Sequence, residues 1–132
     1  MILGYTGSRK GMTGEQAAEI TRFIITEDIT EAHHGDCVGG DEQFHAICVR
    51  LDVPVVIHPP ENDRYRAFCK GAIRIEDPLP FLDRNKVIVN VVELLLAAPK
   101  EDEEPPPMRG QGTWSTVRYA RKTNQAFRII WP

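Results

Sequence analysis

Strand and helix signals alternate along the whole 132-residue chain, and that alternation limits the fold more than any single motif. The run MILGYT, residues 1–6, is short and apolar, and the loop GSRKG ends it. TGEQAAEITRFIIT then sets Ala17, Ile20, Phe23 and Ile24 on a helical period. Thr13, with Gln16 three residues later, is the capping-box pattern that starts a helix. ITEAHHGD predicts a second strand broken at Gly35. DEQFHAICVRL predicts a second helix with Asp41 as N-cap and Phe44, Ile47, Cys48 and Leu51 on one face. VPVVIHPP is a third strand ended by a double proline, followed by a polar stretch, 61–79, without a pattern of its own. PFLDRNKVIVNVV predicts a helix opened by Pro80, and ELLLAAP a buried strand. GTWSTVRYARKT and AFRIIWP close the chain as helix and strand.

Five strands alternating with four helices predict an α/β fold. The expected form is a Rossmann-like three-layer sandwich, one domain over 1–132, with a mostly parallel five-stranded sheet and helices on both faces. A net charge of −3 argues against a general binder of nucleic acid or of membrane surfaces. Three cysteines, an odd number, make no disulfide framework and fit a reduced, cytoplasmic chain. The opening MILGYTGSRKGM holds too short an apolar part for a signal peptide. The longest apolar run, VIVNVVELLLAA, is broken by Asn90 and Glu93 and falls short of the ~20 residues a membrane span needs.

In sheets of this kind ligands sit beyond the carboxyl ends of the strands, where strand order reverses. The segments leaving those ends are TGSRKG, HHGDCVGGDE, IHPPENDR and MRGQGTWS, and all but the third are rich in glycine. Glycine allows the close backbone approach a phosphate cradle needs, and two of these loops feed helix N-termini, each with about half a positive charge. Arg9 and Arg109 add cations. Together they predict an anion site, of the kind that takes a nucleotide phosphate.

Four motifs in order, GSR, HGDCVGGD, DRNKVIV and RGQGTW, resemble the SLOG superfamily of Rossmann-like nucleotide-binding domains, and within it the small stand-alone YspA-like branch. The resemblance covers nearly the whole chain. It implies a nucleotide or nucleotide-derivative ligand, ADP-ribose-like or a nucleoside monophosphate, and a homodimer. The same superfamily holds the DNA-processing Smf/DprA proteins and the Lonely Guy phosphoribohydrolases. The latter carry a PGGxGT loop with a catalytic glutamate two residues on. Here the loop is MRGQGT: Gly110, Gly112 and Thr113 match, Met108 and Arg109 replace the proline and first glycine, and Thr116 stands at the glutamate position. Arg84 matches the arginine those enzymes carry on the third helix. A threonine cannot serve as the carboxylate, so a glycosidase of this kind needs another acid: Asp36, or Asp41 or Glu42. Asp36 has the best claim, because Asp41 reads as a helix cap.

The expected nucleotide-binding residues are therefore Gly7, Ser8, Arg9, His34, Gly35, Gly39, Gly40, His58, Arg84, Asn85, Arg109, Gly110, Gly112 and Thr113, with Asp36 as the catalytic candidate. His34 and His58, at strand ends, either touch the ligand or bond a neighbouring loop. Arg84 and Asn85 interrupt an apolar helix; the guanidinium either grips a phosphate or pairs with Asp83 or Glu93. Trp114 stacks on a base or packs on the sheet, and Phe127 and Trp131 belong to the core or a dimer contact. No metal and no cofactor are expected. The histidines and cysteines lack structural-zinc spacing, and His33 and His34 point to opposite faces of a strand. The acidic, proline-rich 99–109 loop overhangs the site as a lid or a solvated spacer, and its charge disfavours a long nucleic acid. The reading is a nucleotide-binding sensor or accessory domain; the alternative is an N-glycosidase or phosphoribohydrolase.

Overall fold

The computed structural model describes Met1–Pro132. Its elements run β1 (Ile2–Gly7), α1 (Gly14–Thr26), β2 (Glu31–His34), α2 (Gly40–Arg50), β3 (Val55–Ile57), β4 (Arg74–Ile75), α3 (Phe81–Val91), β5 (Leu94–Ala98), α4 (Gly112–Lys122) and β6 (Phe127–Ile129). All five strand pairings are parallel, in the order β4-β3-β2-β1-β5-β6. This is an α/β, Rossmann-like sandwich, as the alternation requires. No helix is long and apolar enough to cross a membrane.

The sheet has six strands rather than five. The additional one, β4, pairs Arg74 and Ile75 with Val56 and Ile57 at the sheet edge. Both of its residues are exposed, so two positions inside a polar stretch carry no alternating pattern to read.

Side-chain alternation along the strands divides the core. Leu3 and Tyr5 of β1 pack with Ile20 and Ile24 of α1 and Phe44 and Ile47 of α2. Leu95 of β5 meets Ile88, Val89 and Ala120 on the opposite face, beside a smaller group of Ala97, Trp114 and Val117. The capping box of α1 forms: Thr13 Oγ1 accepts from the Gln16 amide at 3.1 Å, and Gln16 Oε1 from the Thr13 amide at 2.9 Å. Gln16 is itself buried, and its Nε2 donates to the Pro99 and Ile130 carbonyls at 2.7 and 2.8 Å. That locks the start of α1 to the ends of β5 and β6.

Two helix starts differ from expectation. The N-cap of α2 is Gly39, with no side-chain bond, and Asp41 lies inside the first turn. Pro80 is the N-cap of α3 rather than its first residue. From the central β1 the chain winds outward through β2, β3 and β4, then returns to the other side of β1 for β5 and β6. Strand order reverses between β1 and β5, so a crevice opens between the loops that follow them.

Candidate functional site

That crevice is a cleft of about 1030 Å³ at the carboxyl edge of the sheet. The size suits a nucleotide-sized ligand. Loops 7–10, 35–41 and 108–116 all contribute to its walls, and so do Phe81, Leu82 and Arg84 at the start of α3. The three glycine loops that the sequence singles out therefore meet in space. What they do there differs.

The N-terminus of α2 is closed by the protein itself. The Gly40 amide donates to the Ser8 carbonyl at 2.9 Å, filling a helix-start donor that a phosphate would otherwise use. Gly39 has φ +90° and lies so close to the Arg9 backbone that any side chain would overlap it. Side chains at Gly7 or Gly40 would strike the Tyr5 hydroxyl. These glycines serve an interlock between the β1–α1 and β2–α2 loops. Gly39 and Gly40 are not on the cleft wall, whereas Gly7, Ser8, Arg9 and Gly35 are.

Asp36 is not a cleft residue. It is fully buried at φ +58°, with Oδ2 accepting from Arg66 Nε at 2.9 Å and Oδ1 from the Cys69 amide at 3.0 Å. Its carboxylate binds the 66–69 segment to the β2–α2 loop. Asp41 takes the place foreseen for it: it lines the cleft, and Oδ2 accepts from the Cys37 amide at 3.1 Å. Burial pushes its carboxyl up to about 6, against the pull of the Arg84 charge and of the Cys37 and Gly35 amides.

Arg84 lines the cleft with its donors already committed. Nη1 donates to the carbonyls of Gly35 and, at 3.0 Å, His58; Nε donates to Asn85 Oδ1 at 2.7 Å; Nη2 faces Cys37 Sγ at 3.7 Å. The guanidinium therefore ties α3 to the ends of β2 and β3 rather than pairing with Asp83 or Glu93. Asn85, also on the wall, is the acceptor that orients it.

The two histidines expected at the ligand face elsewhere. The Asp36 amide donates to His34 Nδ1 at 2.9 Å, which places the His34 proton on Nε2. Nε2 then donates to His45 Nδ1 at 2.8 Å, and His45 Nε2 to the Lys70 carbonyl at 2.7 Å. Burial, and then the charge His45 carries when protonated, hold His34 well below the usual histidine range, in keeping with a neutral relay. His34, His45 and Cys69 bring ligand atoms within 4.8 Å of one another. A metal on His34 Nε2 would need the ring proton on Nδ1, where the Asp36 N–H already points, so this relay does not suit metal binding. On the other sheet face His58 Nε2 meets His33 Nδ1 at 2.7 Å, and His33 Nε2 meets Glu31 at 2.7 Å. Burial lowers His58 to about 4. Neither His34 nor His58 lines the cleft.

The start of α4 is open. Its N-cap, Gln111, makes no side-chain cap bond, and a methyl group added at Gly110 or Gly112 would meet nothing within 4 Å. Arg109, Gly110, Gly112 and Thr113 all line the cleft. The Thr116 hydroxyl donates to the Gly112 carbonyl at 2.7 Å. Trp114 is buried, 5.9 Å from the Trp131 ring, and donates through Nε1 to Glu101 at 3.0 Å; its role is packing. The acidic loop is strapped to α4: Glu104 pairs with Arg121 at 2.7 Å and Arg118 at 3.3 Å, and Arg118 also donates to the Pro105 carbonyl. Arg9, stacked 4.0 Å over the Tyr65 ring, joins Lys10, Lys100 and Arg109 as cations around the opening.

Tyr5, Tyr65 and Glu101 are cleft residues that sequence reasoning did not assign to the ligand, and Asp41 is one it weighed only as a second choice of acid. Tyr5 alone had a usable signal, an aromatic hydroxyl two positions before the first glycine loop.

No family model and no curated protein sequence matches the chain. Among solved structures it is similar to the molybdenum cofactor binding protein from the phototrophic bacterium Rippkaea orientalis, with TM-score 0.73, 18% identity, and coverage of 99% of this chain and 76% of that one. The molybdenum cofactor carrier protein from Chlamydomonas reinhardtii gives TM-score 0.67 and 15% identity over 97% and 74%. The protein TM1055 gives 0.69 and 12% over 96% and 71%. At these identities the likeness is one of fold.

Proposed function

We propose that this chain is a SLOG-type domain, of the YspA-like branch, that binds a nucleotide or nucleotide derivative in the cleft and acts as a sensor or accessory protein. The observation that carries the reading is the open N-terminus of α4 at the strand-order reversal, with Arg9 and Arg109 beside it. Free amides at the start of Gly112–Lys122 and the helix dipole favour an anion, and the guanidiniums offer paired donors to phosphate oxygens. Two neighbours in fold are named for the molybdenum cofactor, which supports a small-molecule ligand in a cleft of this fold. The reading includes a cytoplasmic homodimer, no resident metal or cofactor, and no long nucleic acid partner.

The glycosidase alternative has lost its first choice of acid and keeps only Asp41, whose Oδ2 is already taken by the Cys37 amide. Asp36 is held by Arg66 away from the cleft, and Thr116 has its hydroxyl on a helix carbonyl. Binding without turnover is the preferred reading. Calorimetry with nucleoside 5′-monophosphates tests it, with chromatography of the same mixtures for free base. The expected outcome is binding, no base release, and an affinity reduced roughly five- to tenfold in Arg109→Ala. Equal affinity in that variant overturns the cradle, and base release restores the enzyme.

A further inference from the structure

At the inner end of the cleft two groups have no part in phosphate binding. The Tyr5 hydroxyl is the one buried side-chain polar atom in the protein without a hydrogen-bond partner. Its ring is fixed by stacking on Phe44, with centroids 4.5 Å apart, so the hydroxyl cannot swing away to find one. Leaving such a group unmatched is costly, and native proteins rarely do so without a use for it. Asp41, in the first turn of α2, receives only backbone amides, and no side chain donates to it. The two groups are not bonded to each other, yet a side chain at Gly40, the residue before Asp41, would strike the Tyr5 hydroxyl, which makes the phenol and the first turn of α2 neighbours. Both line the cleft, and Phe81, Leu82 and Ile88 of α3 give it apolar walls suited to a flat ring.

We infer that this inner end is a subsite for the 2-amino-4-oxopyrimidine edge shared by guanine and pterins, an inference that rests on the nucleotide reading above. The phenol O–H, held protonated by burial, donates to the ring carbonyl. The ionised Asp41 carboxylate, acceptor only, takes the adjacent ring N–H and amino group. Hypoxanthine lacks the amino donor. Adenine has no two neighbouring donors to offer a carboxylate.

Calorimetry of GMP, IMP and AMP at pH 8 and pH 5 tests this, with wild type, Tyr5→Phe and Asp41→Asn. GMP is expected to bind roughly tenfold tighter than AMP or IMP at pH 8. The preference shrinks at pH 5, where Asp41 is protonated, and disappears at both pH values in Asp41→Asn. Tyr5→Phe, whose lost hydroxyl bonds nothing in the free protein, is expected to melt at the same or a higher temperature and to lose roughly three- to tenfold in GMP affinity. Competition with neopterin phosphate separates the sources. Displacement of GMP at lower concentration than GMP itself makes the ligand a pterin, and no displacement makes it guanine.

Equal binding of the three nucleotides, or a GMP preference untouched by both variants, overturns the subsite and leaves the phosphate cradle standing. A fall in the melting temperature of Tyr5→Phe also overturns it, by showing that a bound water already satisfies the hydroxyl. If none of the nucleotides binds, the nucleotide reading fails with it.

Discussion

Helices α2 and α4 both begin at the rim of one cleft, both after a glycine-rich loop, and in the sequence they look like equal halves of a phosphate cradle. In the fold they have opposite roles. At α2 the glycines let two loops of the chain press together, Gly39 on the Arg9 backbone and Gly40 on the Ser8 carbonyl, and the helix end is filled from inside. At α4 the glycines have space around them, and the helix end faces the cleft. The difference teaches that a glycine motif before a helix states only that backbone comes close to something. Whether that something is the protein or a ligand depends on what else the fold brings there.

Paired substitutions break the comparison most directly. Gly39→Ala is expected to cost about 3 kcal/mol in urea unfolding, from a positive φ and overlap with main-chain atoms that cannot yield. Gly112→Ala is expected to leave stability unchanged or raise it by about 0.5 kcal/mol. Equal costs at the two positions would remove the distinction between a closed and an open helix start.

The arginines sharpen the same contrast. Arg84→Ala leaves the buried Gly35 and His58 carbonyls without their donor and is expected to destabilise by about 2 to 3 kcal/mol. Arg109→Ala, at an exposed cleft residue, is expected to change the melting temperature by less than a degree or two, roughly the scatter of a surface substitution. A destabilised Arg109→Ala would mean that the open loop carries structural load as well.

A smaller effect is expected with pH. In the unfolded chain Asp41 ionises near 3.8, whereas in the fold its proton stays on to about 6. Its contribution to stability is therefore full below pH 3.8 and is lost as pH rises through about 6. His58, lowered from 6.5 to about 4, acts in the opposite sense: its contribution is present above pH 6.5 and is lost as pH falls toward 4. The difference in unfolding free energy between wild type and Asp41→Asn should therefore move by about 1 kcal/mol between pH 5 and pH 8, in favour of wild type at pH 5. A constant difference would mean that Asp41 is more solvated than its place in the closed loop implies.

Least is expected of Glu104→Gln, which releases the strap between the acidic loop and α4. Both arginine partners are part-exposed, so stability should fall by under about 0.5 kcal/mol, and less at high salt. Limited proteolysis within 100–111 is the sensitive readout. Unchanged cleavage would show that the prolines, rather than the ion pairs, hold the loop in place.

Local features were legible in the sequence. Thr13 and Gln16 cap each other three residues apart, and His33 and His34 take opposite sheet faces by the geometry of a strand. Polar residues at strand ends were not legible. Asp36 finds Arg66 30 residues away, and Arg84 finds Gly35 49 residues away; nothing near either residue announces the partner. Each was read as facing a ligand because a strand end has two ways to satisfy a polar group, outward to a ligand or inward to a distant loop. Asp41 failed in reverse: its place near a helix start suggested a cap, yet Gly39 occupies that position.

By itself the sequence determined the order of the elements, the parallel sheet and the edge at which the glycine loops gather. These follow from periods of two and 3.6 residues and from short connections, all of which act over neighbouring positions. Only the tertiary structure decided which helix start stays open, which carboxyl reaches the cleft and which arginine remains free. Those outcomes turn on contacts between segments far apart in the chain, and a polar group commits itself to whichever partner the packing delivers first.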